Sequence, residues 1–165
     1  MPPTNRLEVQ VRASNSPTRA APLSGGPGQS IDFFHTFTEG LNLGQVDHVF
    51  YDERTLVMSG TEDLDLSGTL KECDGITNVT LTRLRVAAFY NEGPGEMLLS
   101  RPAANGVVLF SAAVDQIVIP AGAVFLWACS DEDSGIVVTP VTGDLLTVTE
   151  GGSGPITYKV LLAGI

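Results

Sequence analysis

Ile156-Thr157-Tyr158-Lys159-Val160-Leu161-Leu162 sets the reading of the whole chain. Ile156, Tyr158, Val160 and Leu162 fall on one face of an extended backbone, and Thr157, Lys159 and Leu161 fall on the other. That period of two marks a half-buried strand, and no window of the sequence has the i, i+3, i+4, i+7 pattern of an amphipathic helix. Immediately upstream, Gly151-Gly152-Ser153-Gly154-Pro155 reads as a turn and Leu145–Thr149 as another strand. Further back come Ile136–Val138, the loop Asp131–Gly135, and Val124–Cys129. The last of these is apolar almost throughout, so a central strand covered on both faces is expected there.

Thr77–Tyr90 is the longest strand candidate, and its phase slips. Val79 and Leu81 share one face, whereas Leu84, Val86 and Ala88 share the other. A bulge or bend near Arg83 accounts for the switch. Asn91–Gly95 reads as a turn, and Met97–Leu99, Val107–Phe110 and Ile117–Ile119 read as short strands. Towards the N-terminus lie Ile31–Phe37, Val46–Met58 and Glu62–Leu66, with a turn at Cys73-Asp74-Gly75. Eight to ten short strands with frequent turns predict an all-β domain, a β-sandwich or barrel. A jelly roll is the first choice. An immunoglobulin-like sandwich comes second, because Trp127 lies two residues before Cys129 and no Cys–Trp–Cys arrangement exists.

Residues 1–30 read differently. Leu7, Val9 and Val11 alternate with Glu8, Gln10 and Arg12 as in a one-faced strand, and the stretch from Ser14 to Gly28 is dominated by small and turn-forming residues. Such a stretch buries too little apolar surface to offset its ordering entropy. An extended, flexible N-terminal arm (1–30) followed by a single sandwich domain (31–165) is therefore expected. A lone strand needs an edge to pair with, and that edge can belong to another chain. The residues expected to form contacts between chains are Leu7, Val9 and Val11 on the arm, with Ile31, Phe33, Phe34 and Phe37 at its junction.

At 165 residues with a formal charge of −10, the chain is sized for one domain and carries no basic cluster, which argues against nucleic-acid partners. No apolar run approaches the length needed to span a bilayer, and the N-terminus lacks a signal-peptide pattern, so no membrane partner and synthesis in the cytoplasm are expected. Cys73 and Cys129 read as small core residues, although a single disulfide stays open.

Chemistry is sparse. His35 and His48 are the two histidines, and only Asp47 beside His48 hints at an oriented base; no nucleophile motif accompanies it. The histidines and cysteines have no zinc spacing. Asp131-Glu132-Asp133-Ser134-Gly135 lacks the distal Glu of a calcium loop. Gly25-Gly26-Pro27-Gly28 is followed by no Lys-Ser/Thr. Asp63 and Asp65 share a strand face and read as solvated, and Tyr51, Tyr90, Trp127 and Tyr158 read as too scattered for a sugar-binding platform. No catalytic, metal or cofactor site is expected, and no enzymatic activity.

Glu62–Leu70, Ile119–Leu126, Thr142–Val148 and the ending Ile156–Leu162, in that order, resemble a family of small virion structural proteins of tailed bacteriophages. The resemblance covers roughly residues 46–165. It implies a capsid decoration, or cement, protein: made in the host cytoplasm, placed on the capsid surface, bound to the major capsid protein, and assembled as a homo-oligomer, trimer or dimer. A tail or head–tail connector protein and a carbohydrate-binding jelly-roll module are the alternatives.

Overall fold

A computed structural model describes residues 6–14, 30–72, 74–130, 135–152 and 154–165, with the backbone alone over 6–14 and 30–35 apart from Glu8. The arm's linker, Cys73 and the acidic stretch 131–134 lie outside the described residues. The described chain is all-β. Its strands are β1 (Arg6–Ser14), β2 (Ser30–Glu39), β3 (Gln45–Val46), β4 (His48–Leu56), β5 (Thr61–Asp65), β6 (Arg83–Pro94), β7 (Met97–Ser100), β8 (Gln116–Ile119), β9 (Val124–Ala128), β10 (Ile136–Val137), β11 (Leu145–Glu150) and β12 (Ile156–Gly164).

Two antiparallel sheets enclose one core. In the first, β12 lies between β4 and β6, and the far side of β6 pairs with β9 and β10. The second has the order β5-β11-β7-β8. Leaving aside the two-residue β10, the eight strands from β4 pair first with last: β4 with β12, β5 with β11, β6 with β9, β7 with β8. The alternation of β12 is realised: Ile156, Tyr158, Val160 and Leu162 are buried among Phe50, Phe89, Leu64, Leu99, Leu146 and Val148. Phe89 packs its ring against both Phe125 and Tyr158, at 6.5 Å between centroids in each case.

The phase slip expected near Arg83, with Leu84 and Val86 on one face, lies instead between Leu84 and Val86, which fall on opposite faces. Along β12 the register passes from Ala163↔Val86 to Gly164↔Leu84, so Arg85 is the extra residue of a bulge. Leu84 thereby joins the main core while Val86 joins a second cluster on the opposite face. Arg85 is fully buried, and its guanidinium donates to the carbonyls of Asn42 (2.6 Å) and Gln45, fixing the loop before β4. Gly164 completes the bulge: a Cβ there would lie 2.0 Å from the Arg83 carbonyl oxygen.

Several expected elements differ. The strand begins at Arg83, not Thr77; Val79 and Leu81 are buried by loop backbone bonded to Leu70 and Leu66. Asn91–Pro94 continues β6 rather than turning, because Asn91 donates its side-chain amide to Gly95 O and Ile119 O and accepts from Gly93 N. Val107–Phe110 forms no strand. Val124–Ala128 is not central: among the described residues β9 pairs only with β6, and Val124 is exposed. Cys129 is half-buried and its thiol is free, rather than packed in the core.

Candidate interaction surfaces

The N-terminal strand pairs within the chain. β1 and β2 form an antiparallel ribbon from Arg6↔Thr38 to Ser14↔Ser30, so the ribbon crosses the expected boundary at residue 30. β3 joins β2 only at Thr38 and Glu39, in parallel. Among the described residues, the outer edge of β1 and the edge of β2 before Thr38 pair with no further strand. Directly opposed residues share a face. The register therefore places Leu7/Phe37, Val9/His35, Val11/Phe33 and Ala13/Ile31 on one side of the ribbon. The other side takes Glu8/Thr36, Gln10/Phe34 and Arg12/Asp32. Of the seven residues expected at contacts between chains, Leu7, Val9, Val11, Ile31 and Phe33 thus share the face of Phe37, and Phe34 lies on the reverse. Phe37 itself departs from expectation, because it is fully buried inside its own chain with Val46, Val86 and Ala163. It is the root of the ribbon.

Phe37 sits on the outer face of the first sheet. Register defines three successive rows across β4, β12, β6 and β9 there. The first is Val49–Ala163–Val86–Ala128, and Phe37 and Val46 cluster with it and with Leu161 and Leu126 of the next row. The second is Tyr51–Leu161–Ala88–Leu126, and the third is Glu53–Lys159–Tyr90–Val124. Exposure in these two is concentrated at Tyr51 (53%), Tyr90 (37%) and Val124 (63%). Between them lies an apolar cleft of about 100 Å³. The charge in the third row is internally matched, with Lys159 Nζ 2.6 Å from Glu92 and 3.6 Å from Glu53. The Glu92 hydrogen bond raises the Lys159 pKa above its ordinary value. Of the four aromatics judged scattered in sequence, Tyr51 and Tyr90 thus share a face, while Trp127, opposite Ala87, and Tyr158 lie on the inner side.

The ionisable groups on the inner side are tied to one another. Tyr158 donates to Glu62 Oε1 at 2.5 Å, and Arg54 donates to Glu62 Oε2 at 2.5 Å and to Asp52 at 3.0 Å. Burial, then the Glu62 hydrogen bond, pushes the Tyr158 phenol pKa far up. For Arg54, burial opposes the charge, but Glu62 more than offsets it and its pKa is raised. Glu62 was legible as an inward residue, since it is in phase with Leu64 and Leu66. An inward Tyr158 then demands a polar partner. Asp63, by contrast, faces outward and accepts from Thr147 Oγ1.

His48 donates from Nδ1 to Glu72, not to Asp47, whose carboxylate lies 4.0 Å from Nε2. Thr80 Oγ1 lies 3.5 Å from Nε2. Acid, imidazole and hydroxyl thus occur in triad order, but at 3.5 Å the hydroxyl is beyond the ~2.6–3.2 Å over which a base takes a proton. The trio pins the loop carrying Glu72 to the first residue of β4. Beside it, Asp52, Arg54, Lys71 and Glu72 line a groove of about 330 Å³ with charges of both signs. Asp74, at the tip of that loop, accepts from Thr77 Oγ1 and from the amides of Thr77 and Ile76, which hold its carboxyl pKa below the usual range. Among the described residues no three His, Cys, Asp or Glu side chains group as metal ligands. Comparison of the chain with protein-family models, curated proteins and solved structures finds no match.

Proposed function

We propose that the chain is a non-enzymatic structural protein of a phage virion, a capsid decoration protein that binds and stabilises the major capsid protein lattice. The observation that carries this reading is the β1–β2 ribbon. A two-stranded ribbon alone is marginal in water. This one is anchored at Phe37 and offers strand edges for pairing with another chain, the mode of strand addition. The chain resemblance across residues 46–165 points the same way, and so does the first-with-last pairing of eight strands, which we read as a jelly roll. Repetition on a symmetric lattice lets modest contacts of this kind hold firmly.

The decisive measurement is the copy number of the chain in purified virions relative to the major capsid protein, by quantitative mass spectrometry. A ratio near one, or a simple lattice fraction, is expected; a handful of copies moves the protein to the tail or connector, and absence overturns the reading. Deleting residues 1–29 removes β1 but keeps Phe37. The expected outcome is a folded sandwich that no longer attaches to capsids.

A second reading, a carbohydrate-binding module, is favoured by Tyr51 and Tyr90 flanking the apolar cleft. Ring stacking on exposed aromatics suits sugars. Absence of any hit on a glycan array removes it.

A further inference from the structure

We infer that the outer face of the first sheet is a self-association surface, which takes the apolar side of the β1–β2 ribbon of a second copy of this chain. The inference stands on the fold alone and does not depend on the shell reading.

Three observations carry it. First, the contact type already exists within the chain: Phe37, a ribbon residue, is fully buried on this face against Val86 and Ala163. Second, that cluster reaches only as far as Leu161 and Leu126 of the second row. The second and third rows remain open at Tyr51, Tyr90 and Val124 although the chain's own ribbon is present. Third, the ribbon positions beyond Phe37 on its side are Val9/His35, Val11/Phe33 and Ala13/Ile31, a set without Asp, Glu, Lys or Arg. They match two rows whose one cation, Lys159, is already held by Glu92 and Glu53.

Dimensions agree. From Phe37 to Ile31 the ribbon runs about 20 Å, and four strands span about 14 Å. A ribbon side and a sheet face on one chain, each complementary to the other, form a reciprocal interface. Such an interface closes on itself as a symmetric dimer or small ring.

The test is sedimentation of the purified full chain at micromolar concentration, with two variants. One carries Tyr51→Lys and Val124→Lys on the sheet face; the other carries Val11→Lys and Phe33→Lys on the ribbon. The wild type is expected to associate, and each variant to associate about a hundredfold more weakly, because a lysine must be desolvated in an apolar contact. Mixing the variants is expected to restore a one-to-one species, since an intact ribbon then meets an intact face. Thermal melts by circular dichroism establish that both variants are folded. A monomeric wild type, association unchanged in either variant, or a mixture that stays monomeric overturns the inference; the last result assigns the ribbon to its own chain or to another partner. No virion enters the assay. A monomer that still decorates capsids therefore defeats this inference alone, and a dimer absent from virions defeats the shell reading alone.

Discussion

At the scale of single residues, polar groups inside the sandwich act as ties. Tyr158 is completely buried, and its hydroxyl reaches Glu62, which Arg54 also grips. Tyr158→Phe keeps the ring packing on Phe89 but removes the donor. A loss of ~1–3 kcal/mol in urea unfolding is expected. The same variant reports on pH. An unfolded tyrosine ionises near ~10, while burial and Glu62 hold the native phenol protonated to higher pH. The stabilisation is thus fully present below the unfolded value and is lost as pH rises above it. Wild-type stability should fall in that alkaline window more steeply than that of Tyr158→Phe, measured as the difference between their urea midpoints across pH. Arg85 plays a comparable part at the bulge, where its guanidinium ties the carbonyls of Asn42 and Gln45 to β6.

Elements were legible where the pattern was local. The alternation in β12 is written in neighbouring residues and was visible before any pairing was known; that β6 changes phase was visible too, but its place was not, because Leu84 stays with Val79 and Leu81 in the main core and the change comes at Arg85. What pairing decides was not visible. Val124–Ala128 is as apolar as a central strand, yet β9 lies at an edge, because its apolarity serves the open outer face as well as the core. Asn91–Pro94 carries turn residues but stays extended, since Asn91 finds its partners 4 and 28 residues away. Tyr51 and Tyr90 are far apart in sequence and share a face only because β12 lies between their strands. The surface proposed for binding was therefore the least legible part. Position in the sheet also sets how much each strand matters. Removing residues 156–165 takes away the strand that both β4 and β6 pair with. The expected product shows no cooperative thermal transition by circular dichroism. Removing residues 1–29 should leave that transition in place, since among the described residues β1 pairs only with β2.

For the molecule as a whole, nearly every pairing in the sandwich joins distant parts of the sequence: β4 with β12, β5 with β11, β6 with β9. Loop closure must come before such contacts reward it, and sandwiches of this kind fold in roughly milliseconds to seconds. Stopped-flow refolding followed by Trp127 fluorescence should fall in that range; microsecond refolding would mean that local contacts dominate instead. The same wiring matters while the protein is being made. β12 leaves the ribosome after every strand it joins, so β4 and β6 wait with bare edges throughout synthesis, a state prone to sticking to other chains. Completion is then abrupt, because one strand closes the sheet on both sides. A nascent chain halted before Ile156 has no half-finished stable form to accumulate, and in the cell it is left to chaperones and proteases. Only chains that run through β12 can close the sheet between β4 and β6.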